Sequence, residues 1–158
     1  MIQRIQTIFL FLVAVAMGCV LLLPIWHKQG TTQSAQLDAY SLAIYNGPVS
    51  DTPASEITGI YVAILAGLSA AVALYSIFQY RNRLTQIKLG ALNSLLMGGA
   101  LLGAWYLSNR GNQLIEGAEN GDYLSGFYMP VAALLMNTLA NRFIKRDEDL
   151  VRSADRLR

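Results

Sequence analysis

The sequence predicts an all-α fold: a four-transmembrane-helix bundle with cytoplasmic N- and C-termini and an amphipathic C-terminal helix. Three observations predict it. Of 158 residues, 54% are apolar and only 14% charged, against roughly 25% charged in an average soluble domain. Four stretches, at about 5–26, 57–79, 89–107 and 123–141, contain no Asp, Glu, Lys or Arg, and each reaches the roughly 20 residues that a helix needs to cross a bilayer. The charges then divide unequally between the two sides that four crossings define. This composition argues against a water-soluble enzyme.

The first span follows Arg4. Within it, Ala16-Met17-Gly18-Cys19 has the look of a lipoprotein cleavage box, but the apolar run continues through Val20, Leu21, Leu22 and Leu23. That is longer than a typical signal core, so the segment is expected to be a retained span, with Cys19 as a small buried hydrophobe. An outer loop at 27–56 follows. Its segment from Leu37 to Tyr45 mixes apolar and polar residues and ends in Asn46-Gly47-Pro48, a turn signal. Either a short strand pair over the outer mouth or a short interfacial segment fits it.

The second span carries Gly59, Ala63, Gly67 and Ala71 at four-residue spacing, and the third carries Gly99 and Gly103 in a GxxxG arrangement. Helices in lipid associate where small residues let backbones approach, so these six are the expected packing residues. The seams serve the chain's own neighbouring helices or another protein, with the internal use favoured. A second outer loop at 108–122 holds Gly111, Gly117 and Gly121 among Glu116, Glu119 and Asp122 and reads as a polar cap. Asn93 and Asn137, in the third and fourth spans, are expected to hydrogen-bond across helices for about 0.6–2 kcal/mol each. Trp26, Tyr80, Trp105, Tyr106, Tyr123, Phe127 and Phe143 mark the span ends, where an amphipathic ring suits the headgroup level.

Charge sets the orientation. Ten of the twelve basic residues fall on the side of the termini and of the turn holding Arg81, Arg83 and Lys88, leaving Lys28 and Arg110 on the other. By the positive-inside rule the termini are cytoplasmic. The chain therefore divides into a transmembrane domain, 1–144, and a cytoplasmic tail, 145–158. In the tail, Leu150, Ala154 and Leu157 follow helical spacing, while Glu148 with Arg152 lie four apart and Asp155 with Arg158 three apart, pairs that support a helix. Arg142, Lys145 and Arg146 are expected among anionic headgroups, where each basic residue contributes about 1 kcal/mol. Acids interleaved with these bases exceed what orientation alone needs, which points to a docking helix.

Both ends of the chain carry a resemblance. Met1-Ile2-Gln3-Arg4-Ile5-Gln6-Thr7, leading straight into a span, and Lys145-Arg146-Asp147-Glu148-Asp149-Leu150-Val151-Arg152-Ser153-Ala154-Asp155-Arg156-Leu157-Arg158 resemble a family of small bacterial four-span inner-membrane proteins classified only as a domain of unknown function. The resemblance implies a bacterial cytoplasmic membrane and supplies no catalytic motif. Arg4 and Gln6 are expected to meet the tail at the cytoplasmic face.

These readings bound the function. No ionisable Asp, Glu, Lys or Arg lies inside a span, which argues against a pump, a proton-coupled transporter or an intramembrane hydrolase. One Cys and one His allow no disulfide within the chain and no Cys/His metal cluster, so no metal and no cofactor are expected. A net charge of +2 is too small to suggest nucleic acid. No catalytic residue is assigned, because Ser108, Ser125, Glu116 and Asp122, near the outer interface, have no paired base. The expected function is a non-enzymatic integral membrane protein, a structural or accessory subunit that docks on a membrane-complex or cytoplasmic protein. A small transporter or channel component is the alternative, and a lipid-modifying enzyme stands behind both. The candidate partner or lipid contacts are Arg4, Gln6, Arg142, Lys145, Arg146, Glu148, Arg152, Asp155, Arg156 and Arg158.

Overall fold

The computed structural model describes residues 2–47, 52–79, 82–116 and 120–156. Its elements in chain order are α1 (Ile2–Val20), β1 (Trp26–Gln29), β2 (Gln33–Leu37), β3 (Ser41–Asn46), β4 (Ser55–Thr58), α2 (Ile60–Phe78), α3 (Arg83–Leu114), β5 (Asp122–Tyr123) and α4 (Ser125–Arg156). The all-α expectation is corrected. Four helices are joined by a five-stranded antiparallel sheet of order β4-β3-β2-β1-β5, drawn from both of the segments read as outer loops.

The sheet forms because one of its faces is apolar in register. Trp26 lies opposite Leu37, Leu37 opposite Leu42, and Leu42 opposite Ile57. Trp26, Leu37 and Leu42 are wholly buried, since this row lies over the ends of the helices. The opposite face carries His27, Gln36 and Glu56, with Asp122 beside His27 on the edge strand. The turns are short, closed by Gly30 N to Gln33 O at 2.8 Å and Asp38 N to Ser41 O at 3.0 Å. Gly47, at φ 97°, ends β3 in the left-handed region, which costs glycine little.

Boundaries of all four expected spans move, the fourth giving up Tyr123 to β5. α1 stops at Val20, with Leu22 and Leu23 bonding back to Cys19 O, and Pro24 precedes β1, so the segment 21–26 does not continue the helix. Ile57 belongs to β4, and Gly59 caps α2. α3 reaches beyond 89–107 at both ends: its 32 residues give roughly 48 Å at 1.5 Å per residue. Asn82 starts it, its side chain accepting from Thr85 N at 3.2 Å, so residues 83–88 and 108–114 are helix rather than turn or loop. α4 runs unbroken through the boundary at 144/145.

The helices form a ring: α1 packs on α2 and α4, and α3 packs on the same two. Between them Val13, Met17, Ala66, Met97, Ala100 and Ala133 make a continuous core. α2 and α3 are each long and apolar enough to cross a membrane. The apolar part of α1, Ile5–Val20, is shorter.

Candidate functional site

The end of the helices away from the sheet converges on Asp147. Its carboxylate accepts from Gln6 Nε2 at 3.0 Å, and its main-chain carbonyl accepts from Arg83 Nη1 at 2.7 Å. One residue of α4 thus holds the first turns of α1 and α3. Gln6 and Asp147 are only 6% and 8% exposed, a depth at which an unpaired amide or carboxylate would be costly. Two apolar contacts set the approach: Ile144 is wholly buried one turn earlier, and Phe143 stacks on Phe9 with centroids 5.7 Å apart. On the other side, Gln86 Nε2 donates to Ser76 O at 2.9 Å, tying α2 to α3.

Asp147 escaped the sequence reading, although a signal for it exists. Ala133, Asn137, Ala140, Ile144 and Asp147 are all buried on α4, at alternating steps of four and three, so the carboxylate falls on the inward stripe of the helix. The other candidates divide. Gln6 is in the clasp. Arg142, Lys145 and Arg146 are exposed and line an open groove with Leu139, Phe143 and Asp149, and Glu148 is half-buried. Arg158 lies outside the described residues, as do the side chains of Arg4, Arg152, Asp155 and Arg156.

Deeper between the helices lies a polar seam. Ser69 Oγ donates to Asn93 Oδ1 at 2.6 Å, and Asn137 Nδ2 donates to Gly90 O at 2.8 Å and to Ser94 Oγ at 2.9 Å. Asn93 therefore joins α3 to α2, and Asn137 joins α4 to α3. Gly90 permits this approach, because a Cβ there would run into the Asn141 side chain. The expected small-residue seams are used unevenly. Gly103 and Gly99 take Tyr61 and Leu65 of α2 against their backbones, Gly59 meets Leu107, and Ala63 is buried. Gly67 has open space beside it and Ala71 is exposed.

At the sheet end the packing is closer. Lys28, counted above as an outer charge, is 4% exposed, and its ammonium donates to Asn112 O at 3.1 Å and Ile115 O at 3.0 Å. It caps the carbonyl end of α3, where a cation is favoured. Trp26 occupies a notch walled by Gly111 and Gly121. Ser108 Oγ and Tyr123 OH lie 3.1 Å apart and share a hydrogen bond. Among the described residues no group of three or more His, Cys, Asp or Glu side chains comes together.

Compared with known protein families, residues 2–157 match the one described as a domain of unknown function (DUF4293). The chain belongs to that family. No curated protein matches it. The match runs from α1 to the end of α4, so its bounds enclose the sheet. The clasp residues Gln6, Arg83 and Asp147 lie inside those bounds too.

Proposed function

We propose that the protein is a multi-pass subunit of a bacterial cytoplasmic membrane, with four crossings, both termini in the cytoplasm and the sheet outside. On this reading it is a non-enzymatic structural or accessory subunit, and it docks on a partner through the cytoplasmic extension of α4. Four crossings are supported by the apolar side chains turned outward on every helix: Ile8 and Phe11 on α1, Ile64 and Leu68 on α2, Leu95 and Leu102 on α3, and Tyr128 and Leu135 on α4. Among the described residues no strand carries a large exposed hydrophobe, as suits an element in water. Orientation rests on the charge partition. Burying Lys28 as a cap removes one of the two outer cations from the surface and sharpens that asymmetry.

The observation that carries the docking role is the clasp at Asp147. A topology anchor needs only exposed bases, whereas here α4 is buttressed by α1 and α3 just where it leaves the apolar layer, and it continues as helix to Arg156. A helix held at its base presents its far turns in one direction. The filled interior supports a subunit over a conduit, because Met97, Ala66, Ala100 and Ala133 occupy the axis. The test compares tagged full-length protein with a form ending at Asp149, which keeps the clasp, both recovered from native membranes in mild detergent. A stoichiometric partner lost on truncation is expected. Equal recovery of the same proteins with both forms would overturn docking through the tail, and terminal fusions that report an outside location would overturn the orientation.

A further inference from the structure

We propose that the groove along α4 is a binding site for one anionic phospholipid of the cytoplasmic leaflet. This rests on the membrane-spanning reading above. The groove has a volume of about 470 Å³ and is lined by Leu139, Arg142, Phe143, Lys145, Arg146 and Asp149. Its chemistry changes along the helix. Leu139 lies roughly 4.5 Å nearer the apolar layer than Arg142, at 1.5 Å per residue, and the three cations span about 6 Å beyond it. An acyl chain against Leu139 and Phe143 with a phosphate among Arg142, Lys145 and Arg146 matches that order.

Several features distinguish the groove from a solvated charge cluster. Phe143 is held by stacking on Phe9, so the apolar wall is in place before a ligand arrives. Asp147 and Ile144, on the buried side of the same turns, fix the rotation of α4 and keep the cations turned outward. Among the described residues no hydrogen bond or ion pair engages Arg142, Lys145 or Arg146, so their donors are available. Guanidinium groups suit phosphate oxygens through paired N–H donors. Asp149 at the far edge opposes a second anion, which favours a single headgroup.

The test is native mass spectrometry of the full-length protein in mild detergent, titrated with phosphatidylglycerol, phosphatidylcholine or inorganic phosphate. A one-to-one adduct with phosphatidylglycerol is expected, at about tenfold lower lipid concentration than with phosphatidylcholine, given the attraction of each base for anionic lipid. The variant R142Q/K145Q/R146Q should lose that preference, and L139N should weaken the lipid adduct. Asp149→Asn leaves every cation in place and should strengthen the adduct severalfold, so the proposal stays testable if the triple variant fails to fold. Equal retention of the two lipids by the native protein, no strengthening by Asp149→Asn, or displacement of the lipid by inorganic phosphate at equal concentration would overturn it. These measurements in detergent do not depend on which side the termini occupy, so failure of the orientation would be seen separately.

Discussion

The Gln6–Asp147 contact is the sharpest place to perturb the molecule. Asp147→Ala removes a carboxylate acceptor and leaves the Gln6 amide, 6% exposed, without its partner. A hydrogen bond to a charged group contributes about 1.5–3 kcal/mol, and stranding the buried donor adds about 1–3. Gln6→Ala strands the carboxylate in the same way. Each single variant is therefore expected to lose about 2.5–6 kcal/mol, while the double variant, which strands neither group, loses less than either, giving a coupling of at least about 1.5–3 kcal/mol. Arg83 is the internal control, because it bonds the main-chain carbonyl of Asp147, which survives the substitution. Arg83→Gln and Asp147→Ala, which touch through that carbonyl, should couple more weakly than Gln6 and Asp147 do. The assay is reversible unfolding in mixed micelles followed by circular dichroism, with amide exchange along α4 as a second readout. A coupling below about 0.5 kcal/mol for Gln6 and Asp147 would refute the reasoning.

Three further outcomes follow from the packing. Gly111→Ala puts a methyl group 2.6 Å from Cζ3 of the wholly buried Trp26 and should cost about 1–3 kcal/mol. Gly98→Ala, in the same helix with open space beside it, should stabilise by up to about 1 kcal/mol, so melting temperatures that rank the pair the other way would contradict the notch. Lys28→Met leaves the carbonyls of Asn112 and Ile115 without their ammonium and should cost about 2–4 kcal/mol, read as faster amide exchange at the end of α3 and in β1. Asn137→Leu breaks the bonds to Gly90 and Ser94 and should cost about 0.6–2 kcal/mol in denaturant titration.

The helices were legible because their outward-facing and core-facing residues are both apolar, so composition over about 20 residues identifies them whatever the packing. Asn93 and Asn137 were legible as cross-helix donors or acceptors for the same reason: a polar group in such a stretch needs a partner. The sheet was legible only as one of two alternatives for the first loop. β1 reads Trp-His-Lys-Gln and β2 reads Gln-Ser-Ala-Gln-Leu, strands of four and five residues with little β-branched or aromatic content. Their alternation is blurred, because Ser34 and Ala35 are adjacent yet both buried, and Lys28 looks solvent-bound until the end of α3 is set beside it. β5 has two residues and pairs with β1, Trp26 opposite Tyr123 and His27 opposite Asp122, a long-range contact with no local signal. Asp147 was hidden by company: among Lys145, Arg146, Glu148 and Asp149 it looks like one more surface charge, and only the four-three spacing carried down from Ala133 marks it.

The two ends of the helix ring are secured by different means, and the difference bears on what the tail can do. At the sheet end, a main-chain ladder, the Trp26 notch and the Lys28 cap distribute the load over many groups, so no single substitution there should redirect α4. At the other end, among the described residues, the side-chain hydrogen bonds from Gln6 and Arg83 both run to Asp147, beside the bond from Gln86 to Ser76. If the clasp aims the tail at a partner, recovery of that partner should depend on the acceptor at position 147 more than on its charge. Asp147→Asn keeps a carbonyl oxygen able to accept from Gln6 and should preserve most of the recovery, while Asp147→Ala should lower it severalfold even when the protein accumulates normally. Removal of residues 150–158 should abolish recovery in either background. Full recovery with Asp147→Ala, beside loss on truncation, would mean that the tail binds as an independent segment and that the clasp serves stability alone.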